Sequence, residues 1–244
     1  MLKVNTLQIT EYMKSRNILA ILALTLSSSP LLASDFFSTE PSERLFNLGV
    51  RVGVNTSNRT FNKNTFNAWN VNGWGTGFDA GVILNLNMRE FFTIQPGFFF
   101  ESRSGNYAYA QTYINNNNEE DNYTQLGNVK TYNFTIPVMF SFRFNLSDNI
   151  KWIAEVGPYL QFKLHSSDAD DIMVIDQPTP SSPLKMVNAK SNFTDFGFKL
   201  GSGIMVNEHY SFNIHYLAGT SNVWKAPYAG GKNKTWTFTL GYDF

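Results

Sequence analysis

The sequence predicts an all-β fold, a single eight-stranded antiparallel up-and-down transmembrane β-barrel. Three observations carry that expectation. Apolar and polar side chains alternate in eight segments between residues 45 and 244. The apolar faces are bulky, aromatic and nearly free of charge, whereas the opposite faces hold glycine and the charged residues. The connections alternate between short and long. A strand sends successive side chains to opposite faces, so strict alternation gives each segment one apolar and one polar face.

The first segment, 45–56, sets Phe46, Leu48, Val50, Val52 and Val54 against Asn47, Gly49, Arg51, Gly53 and Asn55. In 73–87, Trp74, Phe78, Ala80, Val82, Leu84 and Leu86 oppose Gly75, Gly77, Asp79, Gly81 and Asn85. In 91–103, Phe92, Ile94, Pro96, Phe98 and Phe100 oppose Thr93, Gln95, Gly97, Glu101 and Arg103. Segment 130–145 places Tyr132, Phe134, Ile136, Val138, Phe140, Phe142 and Phe144 opposite Asn133, Thr135, Ser141 and Arg143. Segment 149–165 places Ile150, Trp152, Ala154, Val156, Leu160, Phe162 and Leu164 opposite Lys151, Glu155, Gly157, Gln161 and Lys163. The next two, 193–206 and 209–220, oppose Phe196, Phe198, Leu200, Ile204 and Val206 to Asp195, Lys199, Gly201 and Gly203, then Tyr210, Phe212, Ile214, Tyr216 and Ala218 to His209, Ser211, Asn213 and His215. The last has Trp236, Phe238, Leu240, Tyr242 and Phe244 on one side and Thr235, Thr237, Thr239, Gly241 and Asp243 on the other.

Each segment reaches the roughly 9–11 residues that a tilted membrane strand needs. A soluble barrel shows the same alternation but turns its charges outward. Here the small and charged face suits a narrow lumen and the Phe, Leu and Val face suits lipid. An edge as apolar as the last segment is an aggregation hazard in water, and closing a lipid-facing barrel removes it. Short connections fall near Asn87–Glu90, Asn145–Asp148 and Asn207–Glu208; long ones cover 57–72, 104–128, 166–191 and 221–232. Short periplasmic turns and long outer loops are the habit of outer-membrane barrels, and an even strand count puts both chain ends in the periplasm. Pro96, Pro137 and Pro158 sit mid-strand, where a ladder donor is lost, and each is expected to mark a bulge.

Ahead of the barrel, Lys14 and Arg16 precede the apolar run Ile18–Leu26, followed by Ser27-Ser-Ser-Pro30 and Leu31-Leu-Ala-Ser34. This is the layout of a secretory signal peptide, and the run is too short to span a membrane as a helix. Residues 1–34 are expected to be cleaved, after Ala33 or Ser34, with Met13 a more natural start than Met1. Residues 35–44 form a polar periplasmic lead-in, and 45–244 the barrel. A balanced charge, +0 from 19 basic and 19 acidic residues, argues against a nucleic-acid partner. The absence of cysteine excludes disulfides, thiol catalysis, thiolate metal sites and a lipoprotein anchor.

Eight strands enclose an interior that side chains just about fill, which disfavours an open diffusion pore. The inward charges Arg51, Asp79, Glu101, Arg103, Arg143, Glu155, Lys163, Asp195 and Lys199, with Lys151, cannot stay buried unpaired without a cost of about several kcal/mol. Strand heights predict a salt-bridge network with Arg51 on Asp79 and Glu155 on Lys199. Trp74, Tyr132, Phe162 and Trp236 are expected to ring the loop end, and Phe92, Phe144, Trp152, Tyr210, Tyr242 and Phe244 the turn end.

Motifs for chemistry are sparse. His165, His209 and His215 have no metal-ligand spacing. His165-Ser-Ser-Asp168 has the residue types of a nucleophile and base near the outer rim, but adjacency does not make a triad. Asp168, Asp170 and Asp171 lack the fixed spacing and glycine of a calcium loop. No catalytic, cofactor-binding or metal-binding residue is assigned.

Leu48-Gly-Val-Arg-Val-Gly-Val-Asn55, Ile94-Gln-Pro-Gly-Phe98, Phe134-Thr-Ile-Pro-Val138, Val156-Gly-Pro-Tyr159, Phe196-Gly-Phe-Lys-Leu-Gly201 and Gly241-Tyr-Asp-Phe244, in that order, cover nearly all of 45–244. In this the chain resembles the Bacteroidetes-type outer membrane protein β-barrel family, porin-like and similar in form to small OmpA/OmpX barrels. The resemblance implies a Gram-negative outer membrane and insertion by the barrel-assembly machinery, which reads a terminal strand such as Trp236, Phe238, Leu240, Tyr242 and Phe244. It implies no catalytic residues. A monomer is expected, surrounded by outer-membrane lipid and lipopolysaccharide, with a structural or surface-binding role through four loops and an unidentified external ligand. Narrow-channel permeation and lipid A modification stand as alternatives.

Overall fold

A computed structural model describes residues 36–59, 69–167, 173–176, 185–188, 191–223, 225 and 231–244. The signal segment 1–34, Asp35 and the acidic cluster Asp168, Asp170 and Asp171 lie outside the described residues. The strands are β1 Phe46–Arg59, β2 Trp69–Arg89, β3 Phe92–Ile114, β4 Glu120–Ser147, β5 Ile150–Ser167, β6 Met173–Asp176, β7 Lys185–Asn188, β8 Thr194–Val206, β9 Tyr210–Gly219 and β10 Asn233–Asp243.

Eight of them close into a barrel in the order β1-β10-β9-β8-β5-β4-β3-β2, every pair antiparallel. The chain ends meet at the seam, where Val50 pairs with Tyr242 and Val54 with Phe238. β6 and β7 form a separate two-stranded hairpin within the 166–191 connection, which nothing in the alternation predicts.

The alternation sets the facing as expected. Val52, Phe98, Phe198, Leu200, Phe212 and Leu240 are exposed on the outer wall, while Arg51, Asp79, Glu101, Arg103, Glu155, Asp195 and Lys199 are buried inside. Aromatic rings gather at both ends of that wall. Tyr216 packs on Trp236 at 4.8 Å toward the loops; Phe144 stacks on Trp152 at 5.1 Å toward the turns.

Three expectations need correction. The prolines mark no bulges: Pro96 pairs with Val138, Pro137 with Tyr159 and Pro158 with Phe198, and the register holds through each. One missing N–H removes a single ladder bond and leaves the pleat intact. The irregularities fall elsewhere, between Trp74 and Asp79, Tyr132 and Asn133, and next to two turns. Next, 104–128 is strand almost throughout: β3 and β4 have 23 and 28 residues and stay paired from Ser104–Lys130 to Ile114–Glu120. Asn115 closes their tip by accepting the N–H groups of Asn117 and Glu119 on its Oδ1. Finally, the lead-in is seated on the turn-end rim. Phe36 stacks on Phe144 at 5.1 Å and Phe37 on Phe91 at 4.3 Å, and the N–H of Glu90 donates to the carbonyl of Glu40.

Candidate functional site

The lumen is a stack of polar layers separated by apolar plugs. Nearest the turns, Arg51 Nη1 lies 2.7 Å from Asp243 Oδ1 and donates to the carbonyl of Val50. Next, His215 Nε2 meets Glu155 Oε2 at 2.6 Å. Toward the loops, Arg103 Nη2 pairs with Glu101 Oε2 at 2.6 Å, and Gln161 bridges the two, accepting from Arg103 and donating to Glu101. Above them Asp195 accepts from the Tyr159 hydroxyl, the Asn233 amide and the Ser221 hydroxyl, while Lys163 Nζ donates to Ser191 at 2.5 Å.

Of the predicted network, Arg51, Glu101, Arg103, Glu155, Lys163 and Asp195 take ionic or hydrogen-bonded side-chain partners, whereas the two predicted pairs do not form. Asp79 stands opposite Gly53 and Arg51 opposite Gly81, so the two lie at different heights. The Arg51 guanidinium turns toward the turn end, where Asp243 and backbone carbonyls receive it. Glu155 takes His215 in place of Lys199, whose Nζ sits 5.0 Å from the Phe99 ring centroid. Glycine makes both choices possible. Glu155, Gly201 and His215 occupy one row across β5, β8 and β9. With no Cβ at Gly201, the imidazole crosses β8 to reach the carboxylate. Gly241 plays the same part between Arg51 and Ser211.

The sequence reading missed two sets of residues. His215 belongs to the network, and its inward parity together with Gly201 in the neighbouring segment was the available signal. Ile83, Phe99, Met139, Ile153, Tyr159, Met205 and Leu217 are also buried inside, where only polar residues were expected. They fill the gaps between ionic layers. At the loop end, segments 191–194 and 220–223 fold inward: Asn192 N–H donates to the Val223 carbonyl, and Lys163 N–H to that of Phe193, with Ser191 and Val223 buried. At the turn end the barrel opens into a cavity of about 350 Å³.

His165 stands exposed on the outer face, stacked near Tyr132 at 6.4 Å, with Ser166 beside it on the chain and Asp168 outside the described residues. Among the described residues, no group of three or more His, Asp or Glu side chains could hold a metal ion.

Two surfaces remain available to partners. The β3–β4 ribbon continues about 10 residues past the last β4–β5 pair, Lys130–Ser167, which is roughly 33 Å of paired strand. On one side β2 covers the ribbon as far as the Trp69–Ala110 pair. On the other, no described strand pairs with Glu120–Val129. The second surface is the turn-end cavity.

No curated protein sequence matches the chain significantly. Solved structures with a similar arrangement include the attachment invasion locus protein Ail of Yersinia pestis in complex with the heparin analogue sucrose octasulfate (10% identity, 82% of this chain and 100% of that one, TM-score 0.38). Others are neisserial surface protein A (8%, 81% and 97%, 0.42) and OprG of Pseudomonas aeruginosa (10%, 86% and 98%, 0.39). The family model described as "Outer membrane protein beta-barrel domain" matches residues 33–224. With the closed eight-stranded ladder, an apolar outer wall and a charged, plugged interior, the chain belongs to the outer membrane protein β-barrel domain family.

Proposed function

We propose that this outer-membrane barrel is a non-enzymatic surface-binding protein whose working part is the β3–β4 ribbon. The supporting observation is the β4 edge Thr124–Asn128, with which no described strand pairs. Such a strand edge offers a row of N–H and C=O groups to an extended segment of another chain. Leu126, 74% exposed, adds an apolar contact. The turns and both chain ends face the periplasm, the ribbon and loops face outward, and lipopolysaccharide and lipid surround a monomeric wall. The order of its proline and glycine motifs supports a Bacteroidetes-type member. The closing strand, ending at Phe244, is the segment the barrel-assembly machinery reads.

A narrow channel fits the filled lumen poorly, and among the described residues no acidic partner of His165 supports lipid A chemistry.

The test uses intact cells displaying the protein. Thr124→Pro with Leu126→Lys removes an edge donor and places a charge on the edge. Adhesion to immobilised extracellular proteins is expected to drop about tenfold or more, while heat-modifiable migration stays unchanged. Equal adhesion by the folded variant would end the proposal.

A further inference from the structure

The lead-in leaves the barrel by crossing its rim. Ser42, Glu43 and Arg44 line the turn-end mouth. Ahead of them, the Glu40 carbonyl accepts the Glu90 N–H at 3.1 Å and the Thr39 carbonyl accepts Arg89 Nη1 at 3.3 Å, so the segment passes over the β2–β3 turn. Phe36 and Phe37 lie on the far side of that turn. Phe36 stacks on Phe144 at 5.1 Å with the ring planes 18° apart, and Phe37 stands 4.3 Å from Phe91 and 6.2 Å from Phe144. Phe144 shares the outward parity of exposed Phe140 and itself stacks on exposed Trp152 at 5.1 Å. The two rings of the lead-in therefore rest on the outside of the wall, not in the lumen.

Phe37 keeps 39% of its surface exposed, and Leu45, Phe46, Leu146, Ile150 and Trp152 are exposed along the same end of the wall. Together they form an apolar collar continuous with the face that this family turns to lipid. Aromatic rings favour the headgroup level at the margin of such a wall. A segment lying in that interface puts its aromatic residues on the lipid side and its polar ones in water. The lead-in divides in this way: after Phe36-Phe37 come Ser38-Thr-Glu-Pro-Ser-Glu-Arg44, without a large apolar side chain.

We propose that the lead-in is a membrane-interface anchor, with Phe36 and Phe37 inserted at the headgroup level of the leaflet that meets the turns. The occupant of their exposed surface is the bilayer, because the rings extend a wall that already faces lipid. Ser38–Arg44 stays in water over the mouth. At its other end the segment is held by Arg44 Nη1, which donates to the Phe244 carbonyl at 3.3 Å, and by the Arg44 carbonyl, which accepts from the Asn87 amide at 2.9 Å. Anchored at both ends, it spans the rim from the β1–β10 seam to β4 and keeps Ser42 and Glu43 at the opening. The anchor is independent of the ribbon and of the compartment that the turns face.

The experiment is NMR of the full chain, purified from outer membranes into nanodiscs of phosphatidylcholine and phosphatidylglycerol. A nitroxide on the lipid chain close to the glycerol should broaden the Phe36 and Phe37 signals several-fold more than one at the methyl end, with the reverse order at mid-wall Val52. A gadolinium chelate in the water should broaden Glu40 and Glu43 and spare both rings. Broadening of Phe37 by the aqueous chelate and not by the lipid probes would overturn the proposal. Protection of Phe37 from every probe would overturn it too, since that marks a protein contact, a second copy of the chain included. These measurements use the wild-type protein. Phe37→Asp, checked for folding by heat-modifiable migration, should raise the aqueous broadening of residues 38–43 several-fold and leave Val52 unchanged. No change at 38–43 would show that the rings anchor nothing.

Discussion

Arg51 and Asp243 meet across the seam that closes the barrel, 2.7 Å apart, with side chains 7% and 1% exposed. One belongs to the first strand and the other to the last, so the pair exists only when the ladder between β1 and β10 has closed. Neither residue lies opposite the other in register: Asp243 pairs with Gly49, and Arg51 reaches toward the turns to find it.

Breaking that pair from one side leaves a buried charge. Asp243→Ala is expected to cost about 3–5 kcal/mol, read as a lower urea midpoint in detergent micelles. Arg51→Met combined with Asp243→Ala should recover a large part of the loss. Equal losses in the single and double variants would show that the pair is not the stabilising unit.

The space over Gly201 is needed by His215. An added Cβ would stand 2.7 Å from the imidazole Nε2 and 2.9 Å from Cγ. Gly201→Ala should displace the ring from Glu155 and destabilise the barrel by about 1–3 kcal/mol. His215→Asn should make the alanine better tolerated. A Gly201→Ala protein with wild-type thermal migration would contradict this account.

The plugged lumen predicts no unitary current in planar bilayers. Replacing Phe99 and Tyr159 together by glycine removes two interior plugs and should raise water-mediated leakage of small ions. Discrete conductance steps from the wild-type protein would show that the plugs move.

Glu208 and Lys151 tie the β8–β9 turn to β5. The Lys151 ammonium hydrogen-bonded to it holds the Glu208 carboxyl below its usual range. Its folded value is lowered, so its contribution is present above the ordinary glutamate range and fades as acidification passes through the folded value. Glu208 is 70% exposed, though Lys151 is only 17% exposed, so the effect stays under about 1 kcal/mol and is screened by salt. Glu208 also sits at φ 61° after Asn207 at φ 52°. Glu208→Gly relieves the left-handed backbone while giving up the pair, and should flatten the acid limb of stability without lowering it at neutral pH.

Phe244 donates its N–H to the Leu48 carbonyl at 2.9 Å at the end of the seam. Deleting it should cut the yield of assembled barrel in cells several-fold while leaving ribbon-dependent adhesion per folded molecule unchanged. Assembly at wild-type yield would remove the proposed signal.

The wall was legible because lipid imposes a strict rule: in Phe46–Val54 or Trp236–Phe244 every second residue must be apolar. The ribbon was not. Beyond the last β4–β5 pair, β3 and β4 lack the strict apolar alternation of the wall, so 104–114 and 120–128 read as loop, and only the tip Asn115–Asn118 is one. The inward Ile83, Phe99 and Tyr159 were equally opaque, since alternation assigns a facing but does not reveal that a narrow lumen needs apolar filling between its charged layers.

By itself the sequence determined which way each side chain points, because strand parity depends only on neighbours along the chain. It therefore placed Arg51, Asp79, Glu155 and Lys199 together in the interior. Only the tertiary structure decided who meets whom. Partner choice depends on the stagger between strands and on the gaps left by Gly201 and Gly241, and closure at β1–β10 sets that stagger. The same closure leaves Arg143 Nε and Nη2 buried without a hydrogen-bond partner among the described residues, a property of three-dimensional register that no segment contains alone.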